Sequence, residues 1–462
     1  MNTALNIILA VSFTPIWPII YFLMRNTTKP KKNVILGATL PKEAHDDEEV
    51  REILRGFRRW LDIFVVPLLP LLIPPFFMRM TGAAMTWFMV WLLIIVVAPF
   101  AVFGVYREKL MVLKREKGWR SDAEGLTVAD VKAAALPVRK ISDLWFLPAA
   151  VMALLPIIVE LLALLTSSPS PSPPEQPAMV IYVTFALTGA IFWVIYHWVF
   201  RLRSEIVNED LALTLALTRM RRYNLGKMCL FSAWATGALN LLVMILGVGA
   251  NAFVIIIMAY TLLLISLAMY AEFATRGAQR KLTEAVAGTF YVDEDDHWLW
   301  GQFYYNPNDK HFLVNDRIGM GTSVNMAKIG GKITMGFALL SLVAMPFIGI
   351  WMWVGEATPA KLAMSETALT ALHTGDQYVI PLDVIESAEI AETMPVVISR
   401  DNGWGMNNLN KGRFTVRGLG SAYLCVMTQN PPFLIIKADG RTYILNDEDS
   451  SVTKEVFARL TQ

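Results

Sequence analysis

Three polar side chains inside long apolar runs are the first candidates for chemistry. Glu160 is a carboxylate well inside one run, His197 lies near the end of another, and Asn240 lies midway along a third. Polar groups inside a bilayer are costly to bury, and where they occur they often relay protons or ions. One hypothesis is therefore a relay through Glu160. The other is that Glu160 is neutral or bonded between helices, and that His197 is an interface residue.

A second group of polar residues follows the last of these runs. The acidic stretch Asp293–Asp296 leads into His297. Carboxylates beside a histidine could bind a metal, but a solvated acidic helix end is the interpretation that the sequence favours. We predict no metal site.

The segment after His297 combines aromatic residues, turn residues and glycines in a short space. Asn306-Pro307-Asn308-Asp309 has the chemistry of a turn, and Gly319-Met-Gly321 lacks the third glycine of a dinucleotide-binding loop. We predict a structural module over residues 293–330, packed against neighbouring helix ends. Its prominent residues are Trp298, Trp300, Gly301, Tyr304, Asn306, Pro307, Asp309, Arg317, Gly319, Gly321 and Asn325.

Composition argues against several classes of function. The chain has no His-Glu-x-x-His, Gly-x-Ser-x-Gly or Walker motif, and its two cysteines are far apart. Its net charge is only +2, so nucleic-acid binding is not indicated. We therefore predict no cofactor, and we rank a membrane enzyme as the third possibility.

The elements that carry these residues are membrane spans. Met228 to Ala271 contains 44 residues without one charged side chain, which as a single helix would be about 66 Å long. A bilayer core is only about 30 Å thick, so this stretch should cross twice. The sequence predicts eight spans: Leu5–Met24, Leu61–Met78, Ala83–Val105, Leu144–Thr166, Met179–Phe200, Met228–Gly249, Asn251–Tyr270 and Ile333–Val354.

The distribution of lysine and arginine predicts the orientation of the spans. Of the 32 basic residues before residue 355, 31 fall in the segments after spans one, three, five and seven, and only Arg79 falls elsewhere. The positive-inside rule makes those segments cytoplasmic, so both chain ends should lie outside. The second span contains Pro67, Pro70, Pro74 and Pro75 and could be kinked or re-entrant.

Two cytoplasmic helices are also expected. One runs from Glu43 to Trp60 and ends in a basic cluster, which is a topology signal or, alternatively, a site for anionic lipid. The other, Arg201 to Lys227, resembles a helix on the membrane surface.

The tail, residues 355–462, changes to short alternating segments typical of strands. They are Gln377–Leu382, Arg413–Val416, Ala422–Met427, Phe433–Lys437 and Thr442–Leu445, followed by a helix from Thr453 to Leu460. We predict a membrane domain over 1–354 and an external tail domain. The tail would be a small barrel or sandwich of antiparallel strands closed by its helix.

The module resembles a signature of uncharacterised multi-pass membrane proteins of Firmicutes. The matching pattern is Trp298-x-Trp300-Gly301-x-x-Tyr304-x-Asn306-Pro307-x-Asp309, followed by Arg317, Gly319, Gly321 and Asn325. The tail resembles the bacterial pleckstrin-homology-like (PH-like) domain at Met394-Pro395, Gly412-x-Phe414, Tyr443–Asn446 and Thr453. A more distant kinship is to bacteriocin-immunity membrane proteins of the Sdp type, whose Pro-x-His loop pattern is absent here.

These observations lead to an ordered set of functional hypotheses. The first is a non-enzymatic protein of the bacterial cell membrane, acting as a sensor, in immunity or in envelope stress. Its external PH-like domain would bind a peptide, lipid or protein partner. The alternative is a transporter, or an accessory to one, that uses Glu160.

Overall fold

The computed structural model describes residues 3–30, 33–119, 140–166, 178–200, 211–246, 250–284, 293–317 and 322–461. Within these ranges, eight helical stretches are long and apolar enough to cross a membrane, and a β-sheet region follows them. This confirms a mostly helical architecture with eight candidate spans. The helices are α1 Thr3–Phe13, α2 Ile16–Asn26, α3 Glu48–Val65, α4 Thr81–Glu116, α5 Leu147–Thr166, α6 Ala178–Val199, α7 Leu211–Leu246, α8 Ala250–Glu284, α9 Ile329–Ala357 and α10 Ser450–Leu460.

Contacts divide the chain into two compact units, which are described in turn. The first unit comprises Met1–Pro15, Pro67–Val96 and Leu340–Gln462, and the second comprises Ile16–Val66 and Val97–Leu339. The first unit therefore holds the tail, and the second holds the module and the three polar candidates.

Several helices differ in extent from the predicted spans. The expected helix from Glu43 to Trp60 is a 3₁₀ turn at Lys42–Asp46 followed by α3, which continues to Val65. The predicted surface helix of residues 201–227 is not separate where the structure describes it, since α7 runs unbroken from Leu211 to Leu246. Polar residues at the end of a span can simply extend its helix into the headgroup region, and this explains the longer elements.

In the first unit, the proline-rich segment forms 3₁₀ turns because proline has no amide hydrogen to donate. The turns are Pro70–Leu72 and Pro74–Phe77, preceded by Val66–Leu68, of which Pro67 and Leu68 belong to this unit. Side chains satisfy three of the carbonyl groups of the segment: Trp91 donates to Leu68 (2.6 Å), Trp87 to Leu71 (2.7 Å) and Asn6 to Pro75 (2.9 Å). This explains how irregular backbone is tolerated in an apolar stretch.

The tail contains two sheets and a closing helix. Strands β7 Lys361–Met364, β8 Ala368–His373 and β9 Asp376–Pro381 form one sheet. The other has the order β10-β14-β15-β13-β12-β11, where β10 is Ile385–Ala391, β11 Val397–Gly405, β12 Leu409–Val416, β13 Gly420–Met427, β14 Phe433–Ala438 and β15 Arg441–Leu445. The β13–β15 pair is parallel, so the prediction of antiparallel strands throughout was wrong at this pair.

In the first unit, the tail forms hydrogen bonds with residues at the start of α4 and at the end of α9. Buried Glu356, at the end of α9, accepts hydrogen bonds from the amides of Gly82 (2.6 Å) and Asn408 (3.2 Å). His373 Nε2 lies 3.0 Å from the Gly355 carbonyl oxygen and 3.1 Å from that of Thr358. The Glu356 carboxylate thus satisfies an amide group at the start of α4, and the His373 imidazole lies against carbonyl groups at the end of α9. Both are backbone groups that a helix end leaves unpaired.

In the second unit, α5, α6 and α7 pack closely through small residues. A β-carbon on Gly237 would lie 2.6 Å from the Ala149 carbonyl oxygen, so only glycine allows α7 to approach α5 this closely. Six short strands in the described part of this unit form three antiparallel pairs. Two pairs are β1 Val34–Ile35 with β2 Ala38–Thr39, and β3 Trp298–Leu299 with β4 Phe303–Tyr304. Strands β5 Leu313–Asn315 and β6 Thr322–Val324 form the third pair.

Candidate functional site

The acidic stretch of the module is buried in ion pairs, which corrects the prediction of a solvated helix end. Lys114 Nζ forms ion pairs with both Asp293 and Asp295, the latter at 2.7 Å. Arg317 also pairs with Asp295. Of these acidic positions, Asp296 is the one on the surface.

The loop after α2 completes the surroundings of Asp295. The amide and hydroxyl of Thr39 donate to its carboxylate at 3.1 and 2.9 Å. Burial opposes ionisation of Asp295, but the charges of Arg317 and Lys114 outweigh it and lower its pKa to about 2. Burial and the neighbouring charge of Asp295 raise the pKa of Asp293. These carboxylates are therefore held as a structural ion-pair cluster and are not free for acid–base work.

Hydrogen bonds within the module fix its turns. Asn325, fully buried, accepts from the Asn306 amide (3.1 Å) and donates to the Asn306 carbonyl (2.8 Å). Tyr304 donates to Asp309 (3.0 Å), which also accepts from the amide of His311 (2.9 Å). Asparagine and aspartate side chains commonly bond the backbone two residues on. The Asn306 side chain does so by accepting from the Asn308 amide (2.9 Å), which closes the turn around Pro307.

The two tryptophans of the module have different environments. Trp298 is 4% exposed and packs on Tyr304, with ring centroids 5.1 Å apart. Trp300 is 69% exposed, so the prediction that the module packs against helix ends was wrong for this residue. It occupies the β3–β4 turn with φ 52°, and its ring meets that of Phe303 edge-on, with centroids 6.2 Å apart. Gly301 follows because a β-carbon there would lie 2.6 Å from the Arg107 side chain. Gly319 and Gly321 lie outside the described residues.

Asn240 connects three helices. Its Nδ2 donates to the carbonyls of Ala153 on α5 (2.8 Å) and Tyr182 on α6 (3.1 Å), while the residue itself is fully buried on α7. Interhelical hydrogen bonds of this kind hold spans together. Asn240 therefore has a structural role, because it joins α7 to both α5 and α6.

His197 lies at the polar end of a cavity between α5, α6 and α7. The cavity has a volume of about 760 Å³, within the usual range for small-molecule sites. Its apolar part exists because small side chains line it. They are Ala149, Ala150, Ala153, Ala186, Gly189, Ala190 and Ala233.

The polar end of the cavity carries mixed charge. Lys140, Ser142, Asp143 and His197 line it. His197 Nε2 lies 3.2 Å from Asp143 Oδ1, which is the distance of an ion pair without the geometry of a hydrogen bond. Both side chains are partly solvent-accessible, so a polar ligand group can reach them.

Glu160 does not line this cavity. It is half-buried on α5, and the structure gives it an electrostatic interaction with Tyr182 on α6. Among the described residues it forms no ion pair. The structure therefore brings His197 to the cavity and Asn240 to the helix contacts behind it, but leaves Glu160 apart from both.

Several residues of these sites carry no signal in the sequence alone. Lys114 and Thr39 look like ordinary loop-flanking residues, because their partners are more than 170 positions away. The alanines of the cavity look like ordinary span residues. On α6, the spacing of Ala186, Gly189 and Ala190 on one helix face is the sequence signal that could have indicated a groove. Among the described residues, no group of three or more His, Cys, Asp or Glu side chains could hold a metal ion.

Comparison with known families gives one short match. The model of a family of unknown function (DUF5808) matches residues 307–332, which include Asp309, Arg317 and Asn325. No curated protein and no solved structure matches the chain.

Proposed function

We propose that this chain is a multi-pass protein of the bacterial cell membrane with eight crossings and both ends outside. Support comes from the eight apolar helices and from the concentration of basic residues in alternate connections. To test this, a cysteine replacing Asn308 in the module should react with an impermeant thiol reagent only in opened cells. One replacing Glu366 in the tail should react in intact cells. Labelling of Asn308→Cys from outside would contradict the proposed topology.

We further propose that the protein is a non-enzymatic binding protein whose α5–α7 cavity holds an amphipathic molecule. The observation that carries this proposal is a cavity with an apolar body and a charged end at Lys140, Asp143 and His197. A ligand with an apolar chain would lie against the alanines and place its polar head at this end. A non-enzymatic role is supported by the module, whose carboxylates and amides are committed to ion pairs and turns.

The tail is the second proposed binding element. Its resemblance to the bacterial PH-like domain is supported by two small sheets and the closing helix α10, whereas the parallel β13–β15 pair departs from an all-antiparallel fold. We propose that it binds a peptide or protein partner in sensing, immunity or envelope stress. The Firmicutes proteins and the Sdp-type immunity proteins named above remain proposed relatives.

Filling the cavity tests the proposed ligand site. A β-carbon on Gly189 would meet no atom within 4 Å, so Gly189→Leu should occupy the cavity without straining the fold. Gly336→Leu on α9 is the matched control, since the space around Gly336 is equally open. Native mass spectrometry should detect one bound amphiphile on the wild type and on Gly336→Leu, and little on Gly189→Leu. Equal binding by all three proteins would refute the cavity as the ligand site.

A further inference from the structure

A second, separate groove runs between α3 and α4 in the second unit. It has a volume of about 470 Å³. Trp60 and Phe64 of α3 form one wall, with ring centroids 5.6 Å apart, and Ala98 and Ala101 of α4 lie among the residues opposite. Both helices belong to candidate spans, and the groove residues Trp60 (44%) and Phe64 (48%) are exposed in the absence of a bilayer. The groove therefore opens toward the position of lipid chains.

One end of the groove is polar. Tyr106 lies there directly after the last apolar lining residue, Val105, and Lys109 lies one helical turn beyond Val105. Tyr106 fits against α3 because position 56 is a glycine, whose β-carbon would lie 2.8 Å from the Tyr106 ring. The ammonium of Lys109 lies 4.5 Å from the centroid of the same ring.

The charge of Lys109 has no carboxylate partner among the described residues. Of the other basic residues of α4, Lys114 pairs with Asp293 and Asp295, and Arg115 pairs with Glu108 at 3.0 Å. Arg107 is buried and donates to the carbonyl groups of Gly37 and Asp295. An aromatic face attracts a cation but leaves its charge available. The groove thus offers an apolar channel for a chain and a free positive charge at its polar end.

We propose that this groove binds an anionic phospholipid of the surrounding bilayer. One acyl chain lies along Phe64, Ala98 and Ala101, and the phosphate group meets the ammonium of Lys109. The indole N–H of Trp60, which donates to no described residue, is a second donor at the lipid interface, where tryptophan is commonly found. A zwitterionic lipid would fill the same channel but would gain less from Lys109.

The test measures lipid selectivity of the full-length protein in detergent by native mass spectrometry. Phosphatidylglycerol and phosphatidylcholine with identical chains are added in equal amounts. The wild type should retain phosphatidylglycerol with a preference of about fivefold, the factor expected from one lysine near a membrane surface. Lys109→Gln should abolish the preference, and Lys109→Arg should keep it. Lys310→Gln, which removes an exposed lysine of the module, is the matched control and should behave as the wild type.

A filling variant tests the channel independently of the charge. Ala101→Leu should lose retained lipid of both kinds, whereas Gly336→Leu should not. If Ala101→Leu does not fold, Val105→Trp serves the same purpose one helical turn nearer the polar end of the groove. A preference that survives in Lys109→Gln, or equal retention by the filled and control variants, would overturn the proposal. Because Gly189→Leu leaves this groove open, failure of the cavity proposal would be distinguishable from failure here.

Discussion

The ion-pair cluster around Asp295 gives the sharpest test of how the module is held. Asp295→Asn keeps the size of the side chain and removes its charge. Lys114 retains Asp293 as a partner, but Arg317 loses the one carboxylate that the described residues give it. Asp296→Asn is the matched control, since it makes the same chemical change one position further on, at the surface.

The magnitude follows from the burial of the group. Asp295 is 6% exposed and accepts from Thr39 as well as from Lys114 and Arg317. Removing one partner of a buried ion pair costs about 3–5 kcal/mol, because the remaining charge stays buried. An asparagine can still accept from Thr39, so we expect about 3 kcal/mol. For a unit of about 290 residues, that corresponds to a fall in melting temperature of about 5 °C.

The protein contains its own reporters for this experiment. Cys229 and Cys425 are both free and buried, so a thiol-reactive fluorogenic dye reports their exposure on heating. In a Cys425→Ala background the remaining thiol, Cys229, lies in the same unit as the cluster. Asp295→Asn should melt well below the wild type, and Asp296→Asn within about 1 °C of it.

A double variant and the pH dependence of stability test the same ion-pair cluster. Adding Arg317→Gln to Asp295→Asn should cost less than the sum of the single changes, because the orphaned charge is then gone. The lowered pKa of Asp295 also means that its contribution to stability is present above its unfolded pKa of 3.8 and is lost as the pH falls toward 2. If Asp295→Asn and Asp296→Asn melted together, the cluster would not hold the module.

Three other predictions follow from the described contacts. Trp298→Ala should lower the unfolding free energy by about 3–5 kcal/mol, because its ring is buried. Trp300→Ala should change it by less than about 1 kcal/mol, because its ring is exposed. Equal losses of the two variants in thermal melts would contradict this difference. Burial and the charge of Lys411 lower the pKa of His373, so the unfolded chain binds more protons than the folded chain below about pH 6.5. The melting temperature reported by Cys425 should therefore fall as the pH drops below that value. His373→Gln should flatten this pH dependence, and an unchanged slope would refute the prediction. Glu160→Gln should keep folded yield and cavity binding, whereas a clean loss of pH-dependent transport would promote the transporter hypothesis.

The sequence alone determined the features that depend on local composition. Uninterrupted apolar length predicted the candidate spans, because a helix must cover the bilayer thickness with its own residues. Alternating runs predicted strands such as β14 and β15 nearly to the residue. The helix predicted over Thr453–Leu460 is α10, which begins three residues earlier, after its N-cap residue Asp449. The prolines of residues 67–75 predicted an irregular second span, since proline lacks a donor wherever it occurs.

Tertiary structure decided everything that depends on a distant partner. Asp293 and Asp295 resemble a solvated acidic run until Lys114, Thr39 and Arg317 are brought around them from three other segments. Strands β7, β8, β10 and β11 have weaker alternation, and neighbouring strands specify them more than their own residues do.

The same division separates the candidate sites. His197 and Asn240 could be singled out from the sequence because a polar residue in an apolar run is visible locally. The cavity beside His197 and the groove beside Lys109 could not, because each is the space left where small residues of one helix face a neighbouring helix. The sequence does not show which residues of separate helices will face one another, so the shape of the space between them follows only from the packing of the helices.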